Sequence, residues 1–327
     1  MITIILLLSI GLTFSACGNS DTTIDASSET SSIASSSEIS SEASSQADVE
    51  SNLEVSSNST SKPSSSKSSG GKTPTTSNPS SKSSSTLVSS APTTVKITIP
   101  EGYTAARIFE TLEAKGVAKK DDLFHAMQNS NFSDYSLIAA LPSSAERCFN
   151  LEGYLYPNTY EFYVGDSPEN IIKKFLKTSE NRITQECRNA ASSLGYSMDD
   201  MIILASILEK EVHNSSELAN VSSVFHNRLK AGQRLQSDAT IKYVEGAIKP
   251  YITGDINRYN SFYNTYKCKA LPAGAICNPG KNAIEGALYP AQTDYMYFAN
   301  DKAGNYYYAA TYEEHLANLE TIKANNG

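Results

Sequence analysis

Residues 18–94 set the first limit on what this chain can fold into. They are mostly Ser, with Thr, Ala and scattered acids, few large apolar residues and no aromatic. Such a stretch cannot bury enough surface to offset its chain entropy, so the composition predicts a disordered linker. The 327-residue chain is then expected to fold over about residues 95–327, as one small and one larger unit. The formal charge of −8 follows the same division. Of the 35 acids, eight precede residue 60, where there is no Lys or Arg, which leaves 27 acids against 27 bases. The foldable part has no basic excess, which argues against a nucleic-acid partner.

Ahead of the linker, residues 2–14 are apolar apart from Thr3, Ser9 and Thr13. That is short for a bilayer span of ~20 residues but suits a signal-peptide core. Phe14-Ser15-Ala16-Cys17 resembles a bacterial lipobox, which would make Cys17 the lipidated residue and residues 1–17 a lipoprotein-type signal peptide. An ordinary signal peptide with a chance Cys is the alternative. No Lys or Arg precedes the apolar run, so an upstream transmembrane anchor also stays open. The expected location is outside the cytoplasm, anchored to the cell membrane of a bacterium. As a flexible coil the linker, roughly 75 residues, would reach roughly 50 Å, and on the order of 250 Å fully extended. Cys148, Cys187, Cys268 and Cys277 form no CxxC motif. Cys268 and Cys277 flank one loop and are the favoured disulfide pair; four free thiols are the alternative.

Residues 95–116 read as strand, turn and helix. Val95, Ile97 and Ile99 alternate with Lys96 and Thr98, Pro100-Glu101-Gly102 is a turn, and Thr104 can cap a helix carrying Ile108 and Leu112. Gly116 stands where a C′ glycine belongs. A second helix follows with Leu123, Phe124 and Met127 on one side. This order resembles a LysM-like glycan-binding module over residues 95–147. The remainder, 148–327, is the larger domain, and the whole is expected to be α+β. A hairpin around Tyr295–Ala299 and Tyr306–Ala310 is its clearest sheet element.

The chemistry centres on ILASILEKEV, Ile203 to Val212. Ser197 and Asp200 make a capping-box-like start to this helix. Met201 to Leu208 are almost all apolar, so it should be buried around most of its circumference. Two carboxylates in such a helix need a reason. Glu209 has the small Ala205 and Ser206 one turn back, whereas Glu211 has Ile207 and Leu208. The space beside Glu209 favours it as the acid that meets a substrate. The plainer alternative has both acids at the wet end of a core helix, paired with Lys210 or Arg228.

Six ordered segments then converge on one family. ASILEKE (205–211), LEGYLYPNTYEF (151–162), VFHNRLKAGQRLQSDATIKY (224–243), YNTY (263–266) with LPAGAICNPG (271–280), ALYPAQTDYMYFA (287–299) and TYEEH (311–315) resemble the YceG-like endolytic murein transglycosylases. The likeness spans Val95 to about Leu319. This chain departs at Ala239, where the family usually has Pro, and at Asn158, Phe262, Ala270 and Ala273. The resemblance implies a peptidoglycan lytic transglycosylase with Glu209, the first Glu of Glu-Lys-Glu, as catalytic acid. It also implies no cofactor and no metal, glycan strands as substrate, and peptidoglycan synthases as further partners. Substrate contacts are expected from Glu152, Tyr154, Asn227, Arg228, Gln236, Asp238, Tyr263, Asn264 and Tyr266. For Glu152 a turn-stabilising role is the alternative, and for Asp238 a cap on the helix at Thr240. The four histidines are dispersed and form no HExxH; His213 could hydrogen-bond Glu209. Without Trp, sugar stacking falls to Tyr or Phe. Two other functions fit the same residues: a non-catalytic glycan-binding scaffold, and a hydrolase pairing Glu209 with Asp238.

Overall fold

The structure is a computed structural model describing residues 93–268 and 270–326. The signal-peptide and lipobox expectations at residues 1–17 and the Ser-rich segment up to residue 92 lie outside the described residues. The architecture is mixed α and β. Strand β1 (Thr94–Thr98) pairs antiparallel with β2 (Thr159–Tyr163), with Val95 opposite Phe162 and Ile97 opposite Tyr160. Alternation sends Ile97, Tyr160 and Phe162 inward, and Tyr160 and Phe162 pack on Phe175. Because its partner lies beyond residue 147, the N-terminal strand shares its sheet with the chain that follows.

Between these strands lie helices α1 (Ala105–Ala114) and α2 (Lys120–Asn129), then a one-turn helix, α3 (Ser136–Ala139). Thr104 caps α1 by accepting from Arg107 N, and Gly116 takes φ +72°, a left-handed conformation that favours glycine. Ile108, Phe109 and Leu112 form the buried face of α1, and Phe109 meets Phe124 of α2 edge to face at 5.0 Å.

Helices α4 (Pro168–Arg182) and α5 (Gln185–Ser193) lead to the central helix, α6 (Met198–Glu211). Its capping box forms in both directions: Ser197 Oγ accepts from Asp200 N at 3.0 Å, and Asp200 accepts from Ser197 N at 2.9 Å. Every residue from Met201 to Leu208 is buried, as the apolar run requires. Around α6 pack α7 (Leu218–Lys230), α8 (Asp238–Tyr243) and α10 (Lys281–Leu288), with α9 (Asn257–Tyr263) against α8. The expected hairpin forms from β3 (Tyr297–Asn300) and β4 (Tyr306–Ala309), covered by α11 (Tyr312–Asn326). Cys268 and Cys277 are not joined: all four cysteines of the described part are free thiols, with Cys148 and Cys277 buried.

Candidate active site

Helix α6 carries its apolar run into the core and delivers Glu209, Lys210 and Glu211 at its C-terminal end. The two glutamates are two residues apart, so they leave the helix on widely separated bearings. Glu209 points to the 275–280 segment, where Gly280 N donates to its Oε2 at 3.0 Å. The space expected beside it is filled. Ser206 Oγ accepts from Ile276 N at 3.0 Å, and Cys277 Sγ donates to Ser206 O at 3.3 Å. Ala205 and Ser206 are small because a chain segment passes over them. Glu209 remains half-buried, and burial, with Glu101 nearby, raises its pKa from the ordinary carboxylate value.

Glu211 faces the other way and is 5 % exposed. It pairs with neither Lys210 nor Arg228. Ser237 Oγ donates to it, and the Ala239 N–H lies within its reach. Burial raises its pKa, those donors act against the rise, and the nearby Asp238 adds to it. Glu211 also lines a cavity of about 420 Å³, a size typical of ligand sites. The wall is built by α1 (Arg107, Glu110), the end of α6 (Lys210, Glu211) and α8 (Lys242, Tyr243). Tyr251 and Ile276 are also on it. Lys210 Nζ donates to Gly102 O at 2.6 Å, joining the helix end to the turn before α1.

The motif residues fall into three groups. Gln236, Asp238, Asn264 and Tyr266 gather beside Glu211. Gln236 N donates to Thr265 O at 3.2 Å, Ser237 N to Thr265 Oγ1 at 2.8 Å, and Tyr266 OH to Asp238 Oδ1 at 2.8 Å. Asn264 Oδ1 accepts from Tyr266 N at 2.9 Å, so this Asn shapes the YNTY turn. Gln236 sits at φ +55°, a strained setting for a non-glycine, and that turn aims Ser237 at Glu211. Thr240 is bonded to Ser237 O and Thr265 Oγ1, which ties the two loops together.

Asn227 and Arg228 stand behind this group. Asn227 Nδ2 donates to Thr293 O at 3.0 Å and Tyr295 O at 2.9 Å. Arg228 is buried and donates to Met296 O at 2.7 Å and Leu235 O at 3.0 Å, with Gln236 Oε1 at 3.3 Å. These two residues fasten the 234–236 turn and the approach to β3 to α7. Glu152, Tyr154 and Tyr263 lie below the surface, each held by internal hydrogen bonds. Glu152 accepts from Ala105 N at 2.9 Å, Asn278 Nδ2 at 2.9 Å and Tyr243 OH at 3.1 Å, and burial pushes its pKa up to about 8. It therefore ties the start of α1, the Asn-Pro-Gly loop and the cavity-lining Tyr243 together. Tyr154 OH donates to Asp199 Oδ1 at 2.7 Å, and Tyr263 OH accepts from Cys148 N at 3.1 Å. His213 is exposed, and its backbone N–H meets Tyr306 OH at 3.3 Å.

Three features of the site escaped the sequence reasoning: Glu211 as the cavity acid, Ser237 as its donor, and α1 as one wall. Ser237 sits inside the quoted LQSDAT segment, and its hydroxyl was the available signal. The α1 wall had no local signal, because it depends on how α1 docks.

No cluster of His, Cys, Asp and Glu among the described residues is arranged to hold a metal ion. An endolytic murein transglycosylase of Bacillus subtilis (strain 168) is 36% identical over 166 residues, covering 50% of this chain and 46% of that protein. One from Streptococcus pneumoniae serotype 2 (strain D39) is 28% identical over 249 residues, covering 70% of this chain and 44% of that protein. The chain thus spans less than half the length of these relatives. A crystal structure of a yceG-like protein from Listeria monocytogenes is similar at 36% identity and a TM-score of 0.58, over 68% of this chain and 75% of the other. The pattern that defines the YceG-like family matches residues 33–321, most of the sequence. On that match the chain belongs to the YceG-like family.

Proposed function

We propose that this chain is an endolytic peptidoglycan lytic transglycosylase, cleaving the bond between N-acetylmuramic acid and N-acetylglucosamine within glycan strands. The observation that carries this reading is Glu211: a buried carboxyl on the wall of a ligand-sized cavity, held by a hydroxyl and a backbone N–H at the end of an apolar helix. The relatives named endolytic murein transglycosylase support the reaction class. Glu211 replaces Glu209 in the acid role because the room that favoured Glu209 is occupied by residues 275–280.

Desolvation keeps the Glu211 carboxyl protonated to a higher pH than an exposed Glu, so it can enter the reaction as an acid. It gives its proton to the glycosidic oxygen as the C1–O bond breaks. The resulting carboxylate takes the proton of the muramic acid C6 hydroxyl as that oxygen closes on C1. One carboxyl thus serves as acid and then base, and the product is a 1,6-anhydro end. Ser237 Oγ donates to the carboxylate and steadies it between the two steps. The two-carboxylate alternative needs a second free acid across the cavity. Glu110 lies on that wall but is engaged by Tyr251 and Arg107, and Asp238 is engaged by Tyr266.

Strand β2 completes a strand–helix–helix–strand order with β1, α1 and α2, and we read that unit as the LysM-like part, extended past residue 147. The Ser-rich segment serves as a tether, with Cys17 the lipidated residue and the catalytic unit outside the cytoplasm at the cell membrane. Peptidoglycan synthases are the partners this placement offers. Digestion of purified glycan strands with product masses read by mass spectrometry tests the reaction. Anhydro ends support it, reducing ends indicate a hydrolase, and uncut strands indicate a scaffold.

A further inference from the structure

The cavity beside Glu211 carries more charge than glycan cleavage requires. Three cations reach it: Arg107 from α1, Lys210 from the end of α6 and Lys242 from α8. They face two carboxyls, Glu110 and Glu211. Glu110 is already shared, accepting from Arg107 Nη1 at 3.2 Å and from Tyr251 OH. With Glu211 protonated, as the proposed reaction needs, the wall holds three cations against one committed anion. Arg107 uses one nitrogen on Glu110 and lies against Tyr103, and its five-donor fork has further N–H groups to offer another group. Among the described residues Lys242 makes no ion pair, and its side chain is exposed at the mouth. An uncharged sugar ring gives no reason for this arrangement. A carboxylate does, since Arg and Lys recognise it by charge-assisted hydrogen bonds.

We infer that Arg107 and Lys242, with Lys210 behind them, form a subsite for a carboxylate carried by the muramic acid residue being processed. This rests on the reading of the cavity as the glycan site. Two sources offer the same chemistry: the lactyl carboxylate, free where the peptide has been removed, and the acids of an attached stem peptide. Arg107 on α1 and Lys242 on α8 both line the cavity, so the subsite sets which strands are accepted while Glu211 does the chemistry. Because these side chains are exposed, their contribution is modest and salt-dependent.

The test uses the full chain and three strand preparations: peptide-free strands, the same strands with the lactyl carboxylate amidated by methylamine, and strands bearing stem peptides. Binding is measured by sedimentation with the Glu211→Gln chain, and cleavage with the unaltered chain. Amidation is expected to weaken binding and raise KM roughly three- to tenfold, with kcat nearly unchanged. If the stem peptide is the source, peptide-bearing strands bind tightest and the two peptide-free preparations bind alike. In the Arg107→Met, Lys242→Met double variant the discrimination should vanish, and in Arg107→Lys, Lys242→Arg it should persist. The ratio between strands is the readout, so any change in Glu211 acidity caused by Lys242 cancels. Equal binding of all preparations by the Glu211→Gln chain, or discrimination retained by the Met variant, overturns the subsite. Tighter binding of carboxylate-bearing strands without cleavage overturns the catalytic reading and leaves the subsite standing.

Discussion

Replacing Glu211 by Gln separates the two glutamates of α6 most sharply. The amide is close in shape to the carboxyl, and its oxygen can still accept from Ser237 Oγ, so the local packing is retained. What it loses is the proton needed by the leaving oxygen and the base needed by the C6 hydroxyl. Removing a positioned acid or base costs about 10²–10⁴-fold, or about 3–5 kcal/mol of barrier. Because one group serves both steps, the expected loss lies at the upper end. Glu209→Gln keeps an acceptor for Gly280 N and should cost less than about tenfold, as expected where uniform positioning alone is disturbed. Initial rates of anhydro-ended product, measured by mass spectrometry between pH 5 and 8, give both values. On the proposed reaction, cleavage by the unaltered chain should slow as pH rises through the raised pKa of Glu211, since the protonated form starts it. Stability carries the same sign. The native state holds the Glu211 proton to higher pH than the unfolded chain does. The native protein therefore loses stability as pH rises from the unfolded to the folded pKa, and Glu211→Gln does not. Its melting temperature should gain on the unaltered chain across that window. If Glu209→Gln abolishes cleavage while Glu211→Gln cleaves normally, the argument from cavity and burial fails.

Three further outcomes follow from residues outside that pair. Glu152→Gln sets an NH2 against donors at Ala105, Asn278 and Tyr243 and should destabilise the fold at acid pH. The native carboxyl is itself penalised as pH rises from about 4.5 towards its raised value of about 8, so the gap in melting temperature should narrow over that range, and a constant gap refutes the assignment. Gly153→Ala places a Cβ 2.7 Å from Ala275 Cβ and 2.8 Å from Ile202 Cγ2 at φ +92°, which should cost about 2–4 kcal/mol in denaturant unfolding from overpacking and strain. Gly280→Ala meets the exposed, movable Glu101 side chain instead and should cost under about 1 kcal/mol; equal losses would refute the distinction. Reductant should leave the melting temperature of the folded part unchanged, because Cys148, Cys187, Cys268 and Cys277 are free thiols; a drop would mean that a disulfide forms.

The helix bearing the acids was legible because its signals are local. Ser197 and Asp200 cap it through neighbours three residues apart, and the run from Met201 to Leu208 is buried whatever covers it. The hairpin at Tyr297 and Tyr306 was legible for the same reason. The choice between Glu209 and Glu211 was not, because it depends on contacts far away in sequence. Small residues one turn back admit either a substrate or a chain segment, and helical spacing does not distinguish the two. Residues 275–280 supply the segment, about 70 positions downstream of Ser206. The bulk of Ile207 and Leu208 beside Glu211 misled in the opposite sense: both are buried, while the carboxyl emerges beyond them towards Ser237 and α8. The α1 wall shows the same limit. Arg107 and Glu110 look like an ordinary surface ion pair one helical turn apart, and only the tertiary fold sets them on the same cavity as an acid a hundred residues on. The residue types at this site were thus written in local segments, while the roles of the two glutamates were set by which segments closed over each of them.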